Sequence, residues 1–596
     1  MKYLLPLALV LAPVGAQAQG FDLGEIVVSP NLEPTALNKV GATVDVVGTD
    51  ALQTAPQGNV AQALTFVPGF TLTANGGLGQ RAGFQLRGAN QNYVPVLIDG
   101  IDVSDPSGPQ VAYDFGHLTT AGIGSIEVLK GAQSALYGSS AIGGVIDIQS
   151  RHATEPGTHV YTSARYGSRN TADASLSVTT KTDTTDLAAT VSHVGSDGYA
   201  VFTGAKADGV KAGYWANRLS VNGSHTLANG VKLGFAGFVE ENHGPYDPAR
   251  GATVFASQKS DTGGLRVYAE FKTGAVTNTV SASTFRILRN YNATDYGASS
   301  FTGERQKLSY QGAVSLGAKA RLVFGADTTR ESYVDSFGSS FQRHINGVFS
   351  ELSYSPTGQV DLTASLRNDH QSGFGDNLTG RLSAAWRPTS DWTVRASAGT
   401  GFRAPSPYEL YAPYGAGNPK LTPEKSRSFD LGVERRFGKD AYLKATAFWL
   451  SADNLIDYSN ASYSYIQVPG TSRRSGIEVE GQTRLGAALV TATYTYTDSS
   501  VNASSSWASV PRDVVSLRAS APVSKKVTVD ASARAGFGRS GGLANYAVAG
   551  LGLSYAVTDR VSADLRVDNL FDARYQLVKD YQMPRRSIYV GLRAAF

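Results

Sequence analysis

The sequence predicts an all-β membrane protein: a 22-stranded transmembrane antiparallel β-barrel with a mixed α/β N-terminal plug domain inside its lumen. Three observations predict it. From about residue 158 onward the chain is a long series of short segments in which apolar and polar residues alternate, separated by turns rich in Gly, Asn, Asp and Ser. Residues 36–151 break that pattern and read as mixed α/β. Charged residues make up only 17 % of the 596-residue chain, against about 25 % in an ordinary soluble domain.

The alternation is the strand signal. In residues 265–271, Leu265, Val267, Ala269 and Phe271 alternate with Arg266, Tyr268 and Glu270. In residues 561–568, Val561, Ala563, Leu565 and Val567 alternate with Ser562, Asp564, Arg566 and Asp568. The chain closes with Ile588, Val590, Leu592, Ala594 and Phe596 against Tyr589, Gly591, Arg593 and Ala595. A soluble sandwich also alternates. A polar face this rich in full charges, and a last strand that runs to a terminal aromatic, suit a barrel with a wet lumen. Residues 152–596 leave roughly 20 residues for each of about 22 strands with its connection, and spanning strands need about 9–11. A lumen that wide leaks unless it is filled, and residues 36–151 are the filler.

The start of the chain reads as an export signal, residues 1–18. Lys2 is the positive region, residues 4–14 the apolar core, and Ala16-Gln17-Ala18 the cleavage site. The mature chain is expected to begin at Gln19. The apolar run is too short to span a bilayer as a helix, which takes about 20 residues, and no later segment is long and apolar enough. A membrane location then requires a barrel, which satisfies all its backbone polar groups within lipid. The abundant Gly (65) and Tyr (29) fit the turns and interfaces of such a barrel. Cys is absent, which excludes disulfides and thiolate metal sites. The net charge of +4 is too small for this length to imply a nucleic-acid partner. Eight scattered His residues and no Cys offer no nucleophile–base constellation, so no enzyme is expected.

Residues 36–151 carry Leu86-Arg87-Gly88, Val96-Leu97-Ile98-Asp99-Gly100, Ser125-Ile126-Glu127-Val128-Leu129-Lys130-Gly131, and a run from Leu136-Tyr137-Gly138 to Gly143-Gly144-Val145-Ile146-Asp147-Ile148. The glycines suit turns or close backbone approach. Arg87, Glu127 and Lys130 are candidates for ion pairs that seat the plug against charged lumen residues. Together these motifs resemble the TonB-dependent receptor family across nearly the whole mature chain. Lys130, Ala132 and Asp147 stand where the family usually has Arg, Pro and Asn. Gly24-Glu25-Ile26-Val27-Val28-Ser29-Pro30, within the short segment 19–35, resembles the family's TonB box, an extended strand that adds to a partner's sheet edge.

The second half resembles the cobalamin branch of that family. Gly401-Phe402-Arg403-Ala404-Pro405 leads to Gly417-Asn418-Pro419-Lys420-Leu421 and Pro423-Glu424-Lys425-Ser426, followed later by Asn454-Leu455-Ile456-Asp457-Tyr458 and Asn569-Leu570-Phe571-Asp572-Ala573-Arg574-Tyr575. Haem receptors usually place a ligating His within the first of these stretches, and residues 406–417 contain none. The resemblance implies active uptake of cobalamin across the bacterial outer membrane, with an iron-siderophore, haem or another metal chelate as the alternative ligand. It implies TonB of the TonB–ExbB–ExbD complex as partner, contact with outer-membrane lipid and lipopolysaccharide, and a monomer.

By the same resemblance the plug loops 75–83 and 104–114 face outward. Asn90, Ser107, Gly108 and Pro109 are then the plug residues near the ligand, with Thr302 and Arg512 as barrel-side candidates. No cofactor is required. Calcium, which takes six to eight oxygens, orders the outer loops of some cobalamin receptors; the candidate ligands here are Asp208, Asp247 and Asp261. Ala200 stands where a further Asp ligand is expected.

Overall fold

A computed structural model describes residues 26–27, 31–55, 58–108, 111–203, 209–245, 256–293, 297–500 and 510–596. Twenty-two antiparallel strands, from Gly157–Gly167 to Ser587–Ala595, close into one barrel in chain order. Closure is set by the last strand pairing with the first, Leu592 opposite Ala164 and Val590 opposite Tyr166. The seam ends in a two-way bond: Val160 N donates to Phe596 O and Phe596 N to Val160 O, each at 2.9 Å. Deleting Phe596 removes the end of this seam. Assembled, heat-modifiable barrel in the outer membrane is therefore expected to fall several-fold at unchanged synthesis; unchanged assembly would show that the final residue is dispensable.

Period two decides what each strand shows to lipid and to lumen. Leu265 and Val267 are exposed on the outside, as are Leu565, Ile588, Val590 and Leu592. The opposite parity is buried and charged: Glu240, Arg305, Glu331, Arg343, Arg367 and Arg381 all point inward. Strand length departs from the uniform short segments expected. Val561–Asp568 has 8 residues, whereas Val276–Ala293 has 18 and Gly297–Leu316 has 20. The longest strands are neighbours in the barrel, and at about 3.3 Å per residue they are longer than a hydrocarbon core of about 30 Å requires; a strand hydrogen-bonded to both neighbours is satisfied in either medium.

The plug fills the lumen. Its main sheet has the order Val44–Val47, Ile123–Lys130, Gly144–Ser150, Val96–Ile98, Ile101–Asp102; the Gly144–Ser150 and Val96–Ile98 pair is parallel. A second sheet joins Phe70–Ala74, Ala82–Leu86 and Ala89–Asn90. Phe70, Phe84, Phe115, Leu64, Ile126 and Ile146 form the core between them. The tight turn read from Asp99-Gly100 is present, with φ of 52° and 77°, the left-handed pair that a two-residue hairpin needs.

Candidate functional site

Two assemblies of charge tie plug to barrel. In the first, Arg87 of the plug reaches across the lumen. Its Nε and Nη2 donate to Glu478 Oε1 and Oε2 at 2.9 and 2.7 Å, and its Nη1 to Asp430. Lys130 Nζ lies 3.2 Å from Glu478 and 2.5 Å from Asp45, and Asp45 in turn accepts from Lys444 of the barrel. Burial pushes the Asp45 carboxyl up, but Lys130 and Lys444 outweigh it and hold the group well below the usual carboxylate range. All of these side chains except Lys444 are less than a tenth exposed. Arg87 and Lys130 thus take the seating role expected of them. Glu127 lies elsewhere, facing Asp147 across the plug sheet.

That second acidic pair is costly. Asp147 and Glu127 are opposite residues of adjacent strands, both buried, and Asp99 is near. Asp147 Oδ1 has no hydrogen-bond partner among the described residues. Burial, then the charges of Glu127 and Asp99, pushes the Asp147 carboxyl up to about 7, with Arg266 only partly opposing them. A raised folded-state pKa means that folding takes up a proton at intermediate pH. The stabilising contribution is complete below about pH 4 and is lost as pH rises through 7. Asp147→Asn is expected to stabilise the seated plug above pH 7 by about 4 kcal/mol and to flatten the pH dependence of plug melting between pH 5 and 8. Parallel pH profiles for the two proteins would refute this.

The end of the lumen beside plug loop 104–108 holds the other assembly. The plug loop around residues 104–108 is an Asx turn: Ser107 N and Oγ donate to Asp105 Oδ1 at 2.8 and 2.7 Å. Arg289 of the barrel clamps it, with Nε 3.0 Å from Asp105 Oδ2 and Nη2 donating to Ser107 O and Oγ at 3.0 and 3.1 Å. Around that clamp runs a row of rings drawn from strands and loops distant in sequence. Phe301 meets Tyr291 at 5.8 Å and Tyr408 at 6.3 Å; Tyr408 meets Tyr333 at 6.0 Å and Tyr465 at 6.3 Å.

The loops that bring these rings in are held by Arg403. It donates to Glu409 at 2.9 and 3.0 Å and to Glu424, which also accepts from Tyr93 Oη at 2.7 Å. Ser406 and Glu409 form a reciprocal cap on the short helix Pro407–Tyr411. The stretches 401–405 and 423–426 that stood out in the sequence are therefore braces of this mouth.

The candidate ligand residues fall unevenly around it. Ser107 is fully buried beneath Arg289, and Gly108 is buried beside it. Asn90 is half-buried and accepts from Gln85 at 3.2 Å. Arg512 is at the rim, 61 % exposed and 3.1 Å from Asp513. Thr302 stands on the outward parity of its strand, because Phe301 and Arg305 point inward; sequence alignment by loop missed that one-residue flip. Pro109, Asp208 and Asp247 lie outside the described residues. Asp261 faces outward, 3.8 Å from Lys259. Of residues 24–30 only Ile26 and Val27 are described, as a two-residue strand paired with Thr35–Ala36; Gly24, Glu25, Val28, Ser29 and Pro30 lie outside. Arg289, Tyr291, Phe301, Tyr408 and Tyr465 carried no local signal in the sequence.

Comparison with known proteins decides the family. The model of the TonB dependent receptor-like β-barrel matches residues 132–570, and that of the TonB-dependent receptor plug domain matches residues 36–145. The chain belongs to the TonB-dependent receptors. It is accordingly an outer-membrane transporter, not an enzyme, and works with TonB on a transported ligand. Among curated proteins, this receptor is 27 % identical to the vitamin B12 transporter BtuB of Photobacterium profundum, over 98 % of each chain. Similar solved structures include the ferric enterobactin receptor PfeA of Pseudomonas aeruginosa (19 % identity, TM-score 0.79, 94 % of this chain and all of that one) and the siderophore receptor PirA of Acinetobacter baumannii (16 %, 0.79, 94 % and 98 %). A third is the FrpB iron transporter of Neisseria meningitidis (14 %, 0.80, 94 % and 100 %). At these identities the structures share the fold.

Proposed function

We propose that this receptor takes up cobalamin, with residues 24–30 as the strand that TonB engages. The observation that carries the ligand reading is the charge balance of the mouth. Arg289 is paired with Asp105, Arg305 with Asp102 and Glu331, Arg343 with Glu331, and Arg403 with Glu409 and Glu424. These four arginines face five carboxylates, so among the described residues this cluster offers no surplus positive charge to a strongly anionic ferric catecholate. A large, uncharged ligand rich in amides suits it better: the rings supply flat apolar area, and backbone groups and short polar side chains supply hydrogen bonds. The near-full-length likeness to a vitamin B12 transporter points the same way.

The row of rings beside Arg289 favours a second reading, an aromatic metal chelate. Titration of the purified receptor separates them. Cyanocobalamin is expected to bind below micromolar, tighter than about −8 kcal/mol, with ferric catecholates and haem at least a hundredfold weaker. A flat cobalamin titration beside tight binding of a ferric chelate would overturn the assignment.

A further inference from the structure

We infer that the receptor holds a small oxyanion at the seam between plug and barrel, bound by Arg534 and Tyr546. Arg534 lies on the strand Val527–Phe537 and points into the lumen; Tyr546 opens the next strand, Tyr546–Ala556. Both are more than nine-tenths buried, at 7 % and 5 % exposure. The Nε and Nη2 of Arg534 and the phenol oxygen of Tyr546 have no hydrogen-bond partner among the described residues. The two side chains are together, with the guanidinium carbon 5.8 Å from the centre of the Tyr546 ring.

They line one cavity of about 60 Å³. Gln62, Thr65 and Phe66 of the plug form its inner side, and Ser532 and Asn569 belong to its barrel side. The other charges on the cavity are already engaged: Asp568 lies 3.6 Å from Arg566, Arg585 is salt-bridged to Asp572, and the amide of Asn569 donates to the Ala573 and Pro584 carbonyls.

The chemistry follows from what is left over. Among the described residues no carboxylate makes a salt bridge to Arg534, and a buried guanidinium without one is among the most unfavourable groups a protein can hold. Its fork of N–H donors matches the paired oxygens of a carboxylate or phosphate. The phenol of Tyr546, on the same cavity and also without a partner among the described residues, offers a third donor. The cavity exceeds the roughly 10–15 Å³ that one water needs, yet it is far too small for a corrinoid. A free oxyanion of phosphate size or smaller fits, and it neutralises Arg534 where the plug helix Val60–Leu64 and its following turn meet the wall.

Equilibrium dialysis of radiolabelled inorganic phosphate against the purified, full-length receptor, freed of oxyanion buffers, tests this. Saturable binding is expected, at least tenfold weaker in Arg534→Gln and several-fold weaker in Tyr546→Phe. Arg286→Gln on the outer wall should leave it unchanged, and acetate should compete. Tyr546→Phe removes no charge, so it carries the test if Arg534→Gln does not assemble. Failure of wild-type receptor to bind phosphate saturably, or equal affinity in both variants, would overturn the proposal.

Discussion

Val27→Pro is expected to leave expression and ligand binding at wild-type levels and to reduce energy-dependent uptake to background. Strand addition to TonB uses backbone N–H groups. Proline deletes one of them and fixes φ near −65°, so it breaks a ladder from which the side chain hardly matters. Among the described residues Val27 pairs with Thr35 in a two-residue ladder, so little fold stability is at stake. The proposed ligand mouth lies at the other end of the barrel: Glu33, beside that ladder, reaches Arg321 at the start of the strand Ala320–Asp335, whereas Tyr333 of the row of rings lies near its end. Val27→Thr keeps the N–H and the branched shape and should transport at close to the wild-type rate. Binding at low temperature and accumulation with the proton gradient intact separate the two steps. Wild-type accumulation by Val27→Pro would show that this segment is not the coupling strand.

Glu478→Ala should unseat the plug without preventing barrel assembly. Glu478 accepts both forks of Arg87 and also faces Lys130, so its removal strips two buried cations of a shared partner. Breaking one partner out of such a network costs about 3–5 kcal/mol, mostly the penalty of the charges left behind. Asp430 and Asp45 remain to hold Arg87 and Lys130 in part, so the expected result is a loosened plug and not a lost one. In planar bilayers the wild-type receptor should be closed, and the variant should show frequent conducting events; cells should become sensitive to a large hydrophilic antibiotic. Glu478→Gln should be intermediate. Glu304→Ala removes an exposed pair with Arg286 on the outer wall. It should change nothing, since exposed pairs contribute about 0–1 kcal/mol. Equal conductance of Glu478→Ala and wild type would show that the latch does not hold the plug.

The barrel was readable because its physics is local. Each strand exposes one parity to lipid and the other to charge, so Leu265, Val267 and Arg266 declare their faces from a window of a few residues. The plug was readable in its turns, where Asp99-Gly100 requires a backbone that few other pairs adopt. Arg87 and Lys130 were legible as seating charges, but their barrel partners Asp430 and Glu478 were not, nor was Lys444, which pairs with Asp45 of the plug, since nothing in the barrel sequence marks which inward charge meets the plug. The mouth was the least legible part. Its rings come from separate strands and loops, and each is an ordinary aromatic in its own neighbourhood. Thr302 shows the cost of reading loops by likeness alone: a shift of one residue moves a side chain from lumen to outer wall. The parity of Phe301, Gly303 and Arg305 already held that information.

On the proposed function, this plugged barrel moves cobalamin inward through TonB at the expense of the inner-membrane proton gradient. The most direct measurement is accumulation of labelled cyanocobalamin by cells in which this receptor is the only route for it across the outer membrane, with the gradient intact and then collapsed. Saturable accumulation that stops when the gradient is removed, while surface binding persists, is the expected result. Accumulation indifferent to the gradient, or none above receptor-free cells beside rapid uptake of a ferric chelate, would contradict it.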